Sequence, residues 1–198
     1  MEIERKFLVT DINGLNLKSY KHKHIVQDYV YSDLFTTIRK REITANNKTK
    51  YIYTIKTDRK GISVNEIEKE ITKDEYDKIA TSPKFKQIVK TRYLIPYLDK
   101  LIIELDIFEK EYEGLMFAEI EFESEKEAYE TALPNWFDKE LTNKVSNSMM
   151  AKHNKEYIMR KCKLWVLKKL KIILNKKSKR KITGLLWKWN LKMMCVGL

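Results

Sequence analysis

The sequence predicts an α+β, mainly β protein: an eight-stranded antiparallel sheet closed into a barrel, with a charged lumen and helices packed outside. Three observations predict it. Eight short segments within the first 123 residues alternate with a period of two. Most of them are joined by tight turns, which favours antiparallel neighbours and closure. On nearly every segment the less apolar face carries a mixture of acids and bases. A small barrel ordinarily fills its interior with apolar side chains. Here the apolar faces must pack outward, against the helices, and the charged faces must line the lumen. Ions buried without partners are costly, so such a lumen is wet or loaded.

The first strand, Met1 to Val9, sets the pattern, with Glu2, Glu4 and Lys6 on one face and Ile3, Phe7 and Val9 on the other. Thr10 to Lys23 reads as a connection turning at Asn13-Gly14. A second strand covers Ile25 to Tyr31. A third, Phe35 to Ile43, aligns Thr37, Arg39 and Arg41. In the fourth, Lys50 to Lys56, Ile52, Thr54 and Lys56 oppose Tyr51, Tyr53 and Ile55. Asp58 to Gly61 turns into the fifth, Val64 to Ile71, which groups Glu66, Glu68 and Glu70. Thr72 to Ser82 reads as a helix, because Thr72 and Glu75 stand at capping-box spacing and Pro83 follows. The sixth strand, Lys86 to Ile95, aligns Lys86, Ile88, Lys90 and Arg92. The seventh, Leu101 to Phe108, aligns Ile102, Glu104 and Asp106. The eighth, Leu115 to Glu123, sets Glu119, Glu121 and Glu123 opposite Ala118, Ile120 and Phe122. Ser124 caps a second helix to about Thr131, and a short helical piece is expected at Asn135 to Leu141.

The formal net charge of +12 belongs to the tail. Residues 152–198 hold 15 Lys/Arg and one acid, Glu156, whereas residues 1–151 hold 25 bases and 27 acids. An argument for nucleic-acid binding from net charge therefore concerns the tail alone, and nucleic acid is not an expected partner of the body. The division expected is a domain at 1–153 and a basic extension at 154–198. Tyr157 to Leu174 would make a basic amphipathic helix suited to an anionic membrane surface. Its all-round apolar run at Leu164 to Leu167 favours the plainer reading, an extension with little order. Two late cysteines, Cys162 and Cys195, provide no disulfide framework. With Glu2 and Glu4 where the apolar core of a signal peptide would start, a cytoplasmic setting is expected.

The charged faces carry the chemistry. Guanidinium forks match phosphate oxygens, and ammonium groups add point charges. Clustered carboxylates without Cys or His suit hard cations, Mg²⁺ or Mn²⁺, over zinc. Together they describe a site for a polyanion and its metals. Glycine-rich phosphate loops are absent, and His22, His24 and His153 lie off the charged faces. No covalent nucleophile is evident, which leaves water as the attacker.

Glu2-Ile3-Glu4-Arg5-Lys6 is an ExExK motif, followed in order by Arg39-Lys40-Arg41, Lys56, Glu66-Ile67-Glu68, Lys90-Thr91-Arg92, Glu104-Leu105-Asp106 and Glu119-Ile120-Glu121. Over residues 1 to about 153 this series closely resembles the CYTH family, the triphosphate tunnel metalloenzymes. The resemblance implies an eight-stranded tunnel and divalent-metal-dependent action on triphosphates. It implies that Lys6, Arg39, Arg41, Lys56 and Arg92 hold the phosphates. Glu4, Glu119 and Glu121 would bind one metal ion. Glu2, Glu68 and Asp106 would serve a second near the attacking water, supported by Glu66 and Glu104. Lys90 resembles a lysine that positions or activates that water, and Tyr29 resembles a tunnel tyrosine, with core packing as its other reading. Short bacterial-type members ending near Lys144 to Ser148 are mostly inorganic triphosphatases, so hydrolysis of tripolyphosphate to pyrophosphate and phosphate is expected. The alternatives are a class IV-type adenylate cyclase and a non-catalytic polyphosphate- or nucleotide-binding module. A homodimer is compatible with the resemblance.

Overall fold

The computed structural model describes residues 1–12 and 14–162. In chain order the strands and helices are β1 (Glu2–Val9), β2 (Lys21–Ser32), β3 (Thr37–Ala45), β4 (Lys48–Lys60), β5 (Ser63–Ile71), α1 (Lys73–Lys78), β6 (Ile88–Tyr97), β7 (Leu101–Phe108), β8 (Met116–Glu121), α2 (Glu125–Glu130), β9 (Lys139–Glu140) and α3 (Asn147–Lys152). Met1–Lys161 form one compact unit; a second begins at Cys162 and lies almost wholly outside the described residues. The basic segment read from Tyr157 is helical at 155–162, and its remainder to Leu174 lies outside them too, as does Asn13 of the first turn. Among the described residues no helix is long and apolar enough to cross a membrane.

All pairings are antiparallel, in the order β5-β4-β3-β2-β6-β7-β8-β1, and β1 pairs with β5 at Glu2↔Val64 and Ile3↔Ser63 to close the barrel. β9 adds to the outer flank of β1 at Phe7↔Glu140 and Leu8↔Lys139. The outer core gathers Ile3, Val9, Ile103, Leu105, Ala118, Ile120 and Ala128, with Trp136 and Phe137 packed on it. Apolar side chains from β1, β7 and β8 thus leave the lumen and bury against α2 and the 133–137 segment.

Three expectations are corrected. The outer apolar faces are not all covered by helices. Tyr31, Ile38, Ile55 and Ile67 align across β2 to β5, and Ile67 is 69 % exposed. The helix expected at Asn135 to Leu141 is instead a turn and the β9 strand, because Phe137 stacks on Phe7 at 4.6 Å and the β1 edge offers a ladder. The helix expected to reach Ser82 ends at Lys78. Its capping box forms as read, but Lys40 Nζ donates to the Tyr76 and Ile79 carbonyls, both at 2.9 Å, and closes the last turn. Pro96 sits inside β6, where the pairing with β2 has already stopped at Leu94, so its missing N–H breaks no ladder bond.

Candidate active site

The period of two brings the charged series together. Glu2, Glu4 and Lys6 from β1, Tyr29 from β2, Arg39 and Arg41 from β3, and Lys56 from β4 line one cavity of about 960 Å³. Glu66 and Glu68 from β5, Lys90 and Arg92 from β6, Glu104 from β7, and Glu119 and Glu121 from β8 complete its charged wall. Asp106 is the one residue of the predicted set that does not line it. Its side chain is wholly buried, accepting from Lys90 Nζ and from Arg92 Nε and Nη2, the latter two at 2.6 Å. Asp106 therefore lies buried beneath Lys90 and Arg92, on the same strand face as Glu104, and fixes two bases that face the lumen.

Register determines which charges meet. Lys6 lies opposite Glu119 across β1 and β8, and their ion pair is 2.7 Å. Arg92 spans Glu104, Asp106 and Glu119, Lys56 spans Glu2 and Glu66, and Arg41 meets Glu68 and Thr54 Oγ1. Glu4 and Glu121 are the exception. They lie directly opposite one another, and among the described residues Glu4 reaches only Arg59, at 4.0 Å, and no cation salt-bridges Glu121. Like charges facing across a ladder destabilise it. Burial, then the neighbouring Glu104 and Glu4 charges, raises the Glu121 carboxyl.

The same competition between burial and neighbours orders the other groups. For Glu119, burial opposes ionisation, but Lys6, Arg92 and Lys90 outweigh it and hold the group well below the usual carboxylate range. Burial and the hydrogen bond to Glu66 raise Glu2 to about 8; Glu66 is half-buried, yet that bond and the Lys56 charge lower it. Burial and the adjacent Arg92 push Lys90 down to about 8 against the pull of Asp106. Burial raises the Tyr29 hydroxyl, which stays protonated and accepts from Gln27 Nε2 at 2.6 Å.

Two features bear on what the lumen can hold. The Nε atoms of Arg39 and Arg41 are buried with no hydrogen-bond partner. Such orphaned donors beside a cavity fit an anion with several oxygens. Among the described residues no three acidic, imidazole or thiol side chains converge into a preformed metal cage. A pair such as Glu4 and Glu121 instead fits a hard cation that brings its remaining ligands with it, as Mg²⁺ does when it binds through one or two carboxylates and substrate phosphates.

Residues 142–149, 152 and 153 also line the cavity, as do Gln27, Lys23 and Arg59. Gln27 and Lys23 were legible in principle, since they share the face of Tyr29. The segment after β9 was not: its neutral residues carry no charge pattern, and only its docking against β2 and β6 brings it to the lumen.

No protein-family model matches the sequence. The chain is 32 % identical over 142 residues to an inorganic triphosphatase of Nitrosomonas europaea, covering 71 % of this chain and 89 % of that one. A crystal structure of an inorganic triphosphatase matches at 28 % identity with a TM-score of 0.53, over 77 % of this chain and 95 % of that chain. A protein of Pyrococcus horikoshii shares the fold at 22 % identity and a TM-score of 0.50, over 66 % of this chain and 83 % of that chain.

Proposed function

The chain belongs to the CYTH family of triphosphate tunnel metalloenzymes, and we propose that it hydrolyses the terminal phosphoanhydride of tripolyphosphate, releasing phosphate and pyrophosphate. Divalent-metal dependence comes with the family; the finer reading is two Mg²⁺ or Mn²⁺ ions. The catalytic domain is assigned to residues 1–153, and 154–198 to an extension. The observation that carries the substrate reading is the pair of buried, unpartnered Nε donors on Arg39 and Arg41. Both arginines line the same cavity as Glu4 and Glu121.

In this reading Arg39, Arg41, Lys6, Lys56 and Arg92 hold the phosphate oxygens, exchanging carboxylate partners for substrate. A bound divalent ion would neutralise charge on the phosphates and on the attacking and leaving oxygens. Glu4 and Glu121 would hold one ion, with Glu119 joining only on release from Lys6 and Arg92, and Glu2, Glu66, Glu68 and Glu104 would form the surroundings of the other. To serve a cation, Glu2 must ionise against the burial and the Glu66 contact that raise it. Asp106 is better read as a positioning residue than as a ligand, because both its oxygens are engaged by Arg92 and Lys90. Lys90 Nζ, fixed by Asp106 and with its pKa drawn down to about 8, orients the attacking water, and its neutral amine form can take up that water's proton. Tyr29 accepts from Gln27, which leaves its own hydroxyl proton free to donate to a phosphate oxygen.

One observation favours a second reading, a triphosphate bearing an organic group with ATP cyclisation as its chemistry. Leu34 and Phe35, on the β2–β3 turn, are 91 % and 75 % exposed and border the cavity, where a planar base could rest. The test is phosphate release from tripolyphosphate, ATP and thiamine triphosphate with Mg²⁺, Mn²⁺ or EDTA, beside an assay for cyclic AMP. Fast release from tripolyphosphate that EDTA abolishes is the expected result. Cyclic AMP from ATP would move the protein to the cyclase reading, and tight binding without turnover to the binding module.

A further inference from the structure

Among the described residues three buried side-chain polar atoms have no hydrogen-bond partner: Arg39 Nε, Arg41 Nε and Asn147 Oδ1. All three residues line the same cavity. The arginines belong to the charged series; Asn147 does not. It opens α3, in the segment that follows β9, and is 8 % exposed.

Its place is fixed by bonds that do not involve its side chain. Tyr112 Oη donates to the Met150 carbonyl and, at 2.9 Å, to that of His153. The Lys86 amide donates to the Ala151 carbonyl at 2.8 Å, and Lys152 Nζ to the Ser32 carbonyl at 2.9 Å. Ser146 Oγ accepts from the Met149 amide at 3.1 Å and caps the helix start. These bonds hold the helix in place, and there the Asn147 amide oxygen meets no protein donor among the described residues. A buried amide left unpaired is unfavourable, and native proteins keep few of them. The arrangement makes sense if a ligand completes it.

A carboxamide presents an oxygen and a nitrogen that exchange places by a half turn of its last torsion. Toward a phosphate chain the useful end is the donor. It is also neutral, so it adds a contact to an already ionic lumen without altering its charge balance.

We infer that Asn147 is a substrate-binding residue of this site: Nδ2 donates to a non-bridging oxygen of the bound triphosphate, and Oδ1 accepts from a water or ammonium beside it. The inference rests on the triphosphate reading above and extends the binding set from the barrel strands to the segment after them.

The test measures tripolyphosphate binding in EDTA by calorimetry, with no turnover required, for the wild type, Asn147→Ala, Asn147→Asp and, as reference, Arg39→Ala. Melting temperatures are recorded without ligand, and kcat and KM with Mg²⁺. Loss of one hydrogen bond to a charged group predicts binding about tenfold to a hundredfold weaker in Asn147→Ala. Asn147→Asp, which sets a carboxylate against phosphate, should bind more weakly still. The rise should fall in KM more than in kcat. Without ligand, Asn147→Ala should melt no lower than the wild type, since no bond is lost. If Arg39→Ala weakens binding and both Asn147 variants bind as the wild type does, the inference fails while the triphosphate reading stands. A lowered melting temperature with unchanged affinity would mean that Asn147 is structural and would likewise overturn it. If the wild type binds no tripolyphosphate, both readings fall together.

Discussion

Asp106 and Glu4 are carboxylates of the same barrel in opposite electrostatic positions, and their removal should have opposite consequences. Asp106 is the shared counter-ion of Lys90 and Arg92 in a site without solvent. Asp106→Asn leaves buried Lys90 without the carboxylate it pairs with, while Arg92 keeps Glu104 and Glu119; breaking such a buried pair typically costs about 3–5 kcal/mol. Melting should fall by roughly 10 °C or more in a chain of this size. Glu4 faces Glu121 with only a distant arginine. Glu4→Gln relieves that repulsion, so the melting temperature should hold or rise while metal-dependent turnover is lost. Thermal unfolding and phosphate release on the two variants decide the matter; an Asp106→Asn protein as stable as the wild type would refute the role given to Asp106. Alternation in the sequence made both residues legible as members of one face. It did not distinguish them, because depth along the barrel axis comes from strand stagger and closure, which a single strand's pattern does not encode. Asn147 was illegible for a related reason, since a neutral residue in a short helix gives no signal until tertiary docking turns it toward the lumen.

At the level of elements, the weakest pairing carries its own clamp. β9 has only two residues, yet Arg5 on β1 binds both oxygens of Glu140, at 2.9 and 3.0 Å, and donates to the Ala128 carbonyl at 2.7 Å. One guanidinium thus ties β9 and the end of α2 to the barrel. The hydrogen bond from Arg5 lowers the Glu140 carboxyl below its usual range, against the effect of partial burial. A carboxyl lowered on folding contributes stability above its unfolded value of about 4.3, and that contribution is lost as pH falls through the lower folded value. Glu140→Gln should therefore be less stable than the wild type at pH 7, with the difference closing between about pH 5 and pH 3. Denaturant titrations at several pH values check this; a gap that persists at pH 3 would show that Glu140 acts through packing alone. Sequence pattern found every barrel strand and the capped helices α1 and α2, but it missed α3 and placed the ends imperfectly. β2 begins at Lys21, where Lys21, His22 and Lys23 conceal the alternation and pairing with β6 supplies the order. β9 was missed because two residues have no period.

For the whole molecule, closure makes stability and ligand binding one problem. A barrel lined with mutually neutralising ions must break several internal pairs to admit a polyanion, and it regains them as contacts to phosphate. A ligand that binds only the folded state stabilises it by about 2.7 kcal/mol at a hundred times its Kd. For a domain of this size that is a rise of roughly 5–10 °C in melting temperature. Tripolyphosphate in EDTA should produce a shift of that order, and orthophosphate at the same concentration much less, because it cannot span the bases of β1, β3, β4 and β6. Contacts to a polyanion at the mouth of a lumen feel bulk ions, whose screening length is about 10 Å at 0.1 M salt and about 3 Å at 1 M. The shift should therefore shrink as salt is raised. Arg39→Ala combined with Arg41→Ala should nearly abolish it, by removing the two buried donors that lack protein partners. A shift that survived the double substitution at low salt would place the ligand outside the barrel, and the charged lumen would then be a salt-bridge network serving the fold alone.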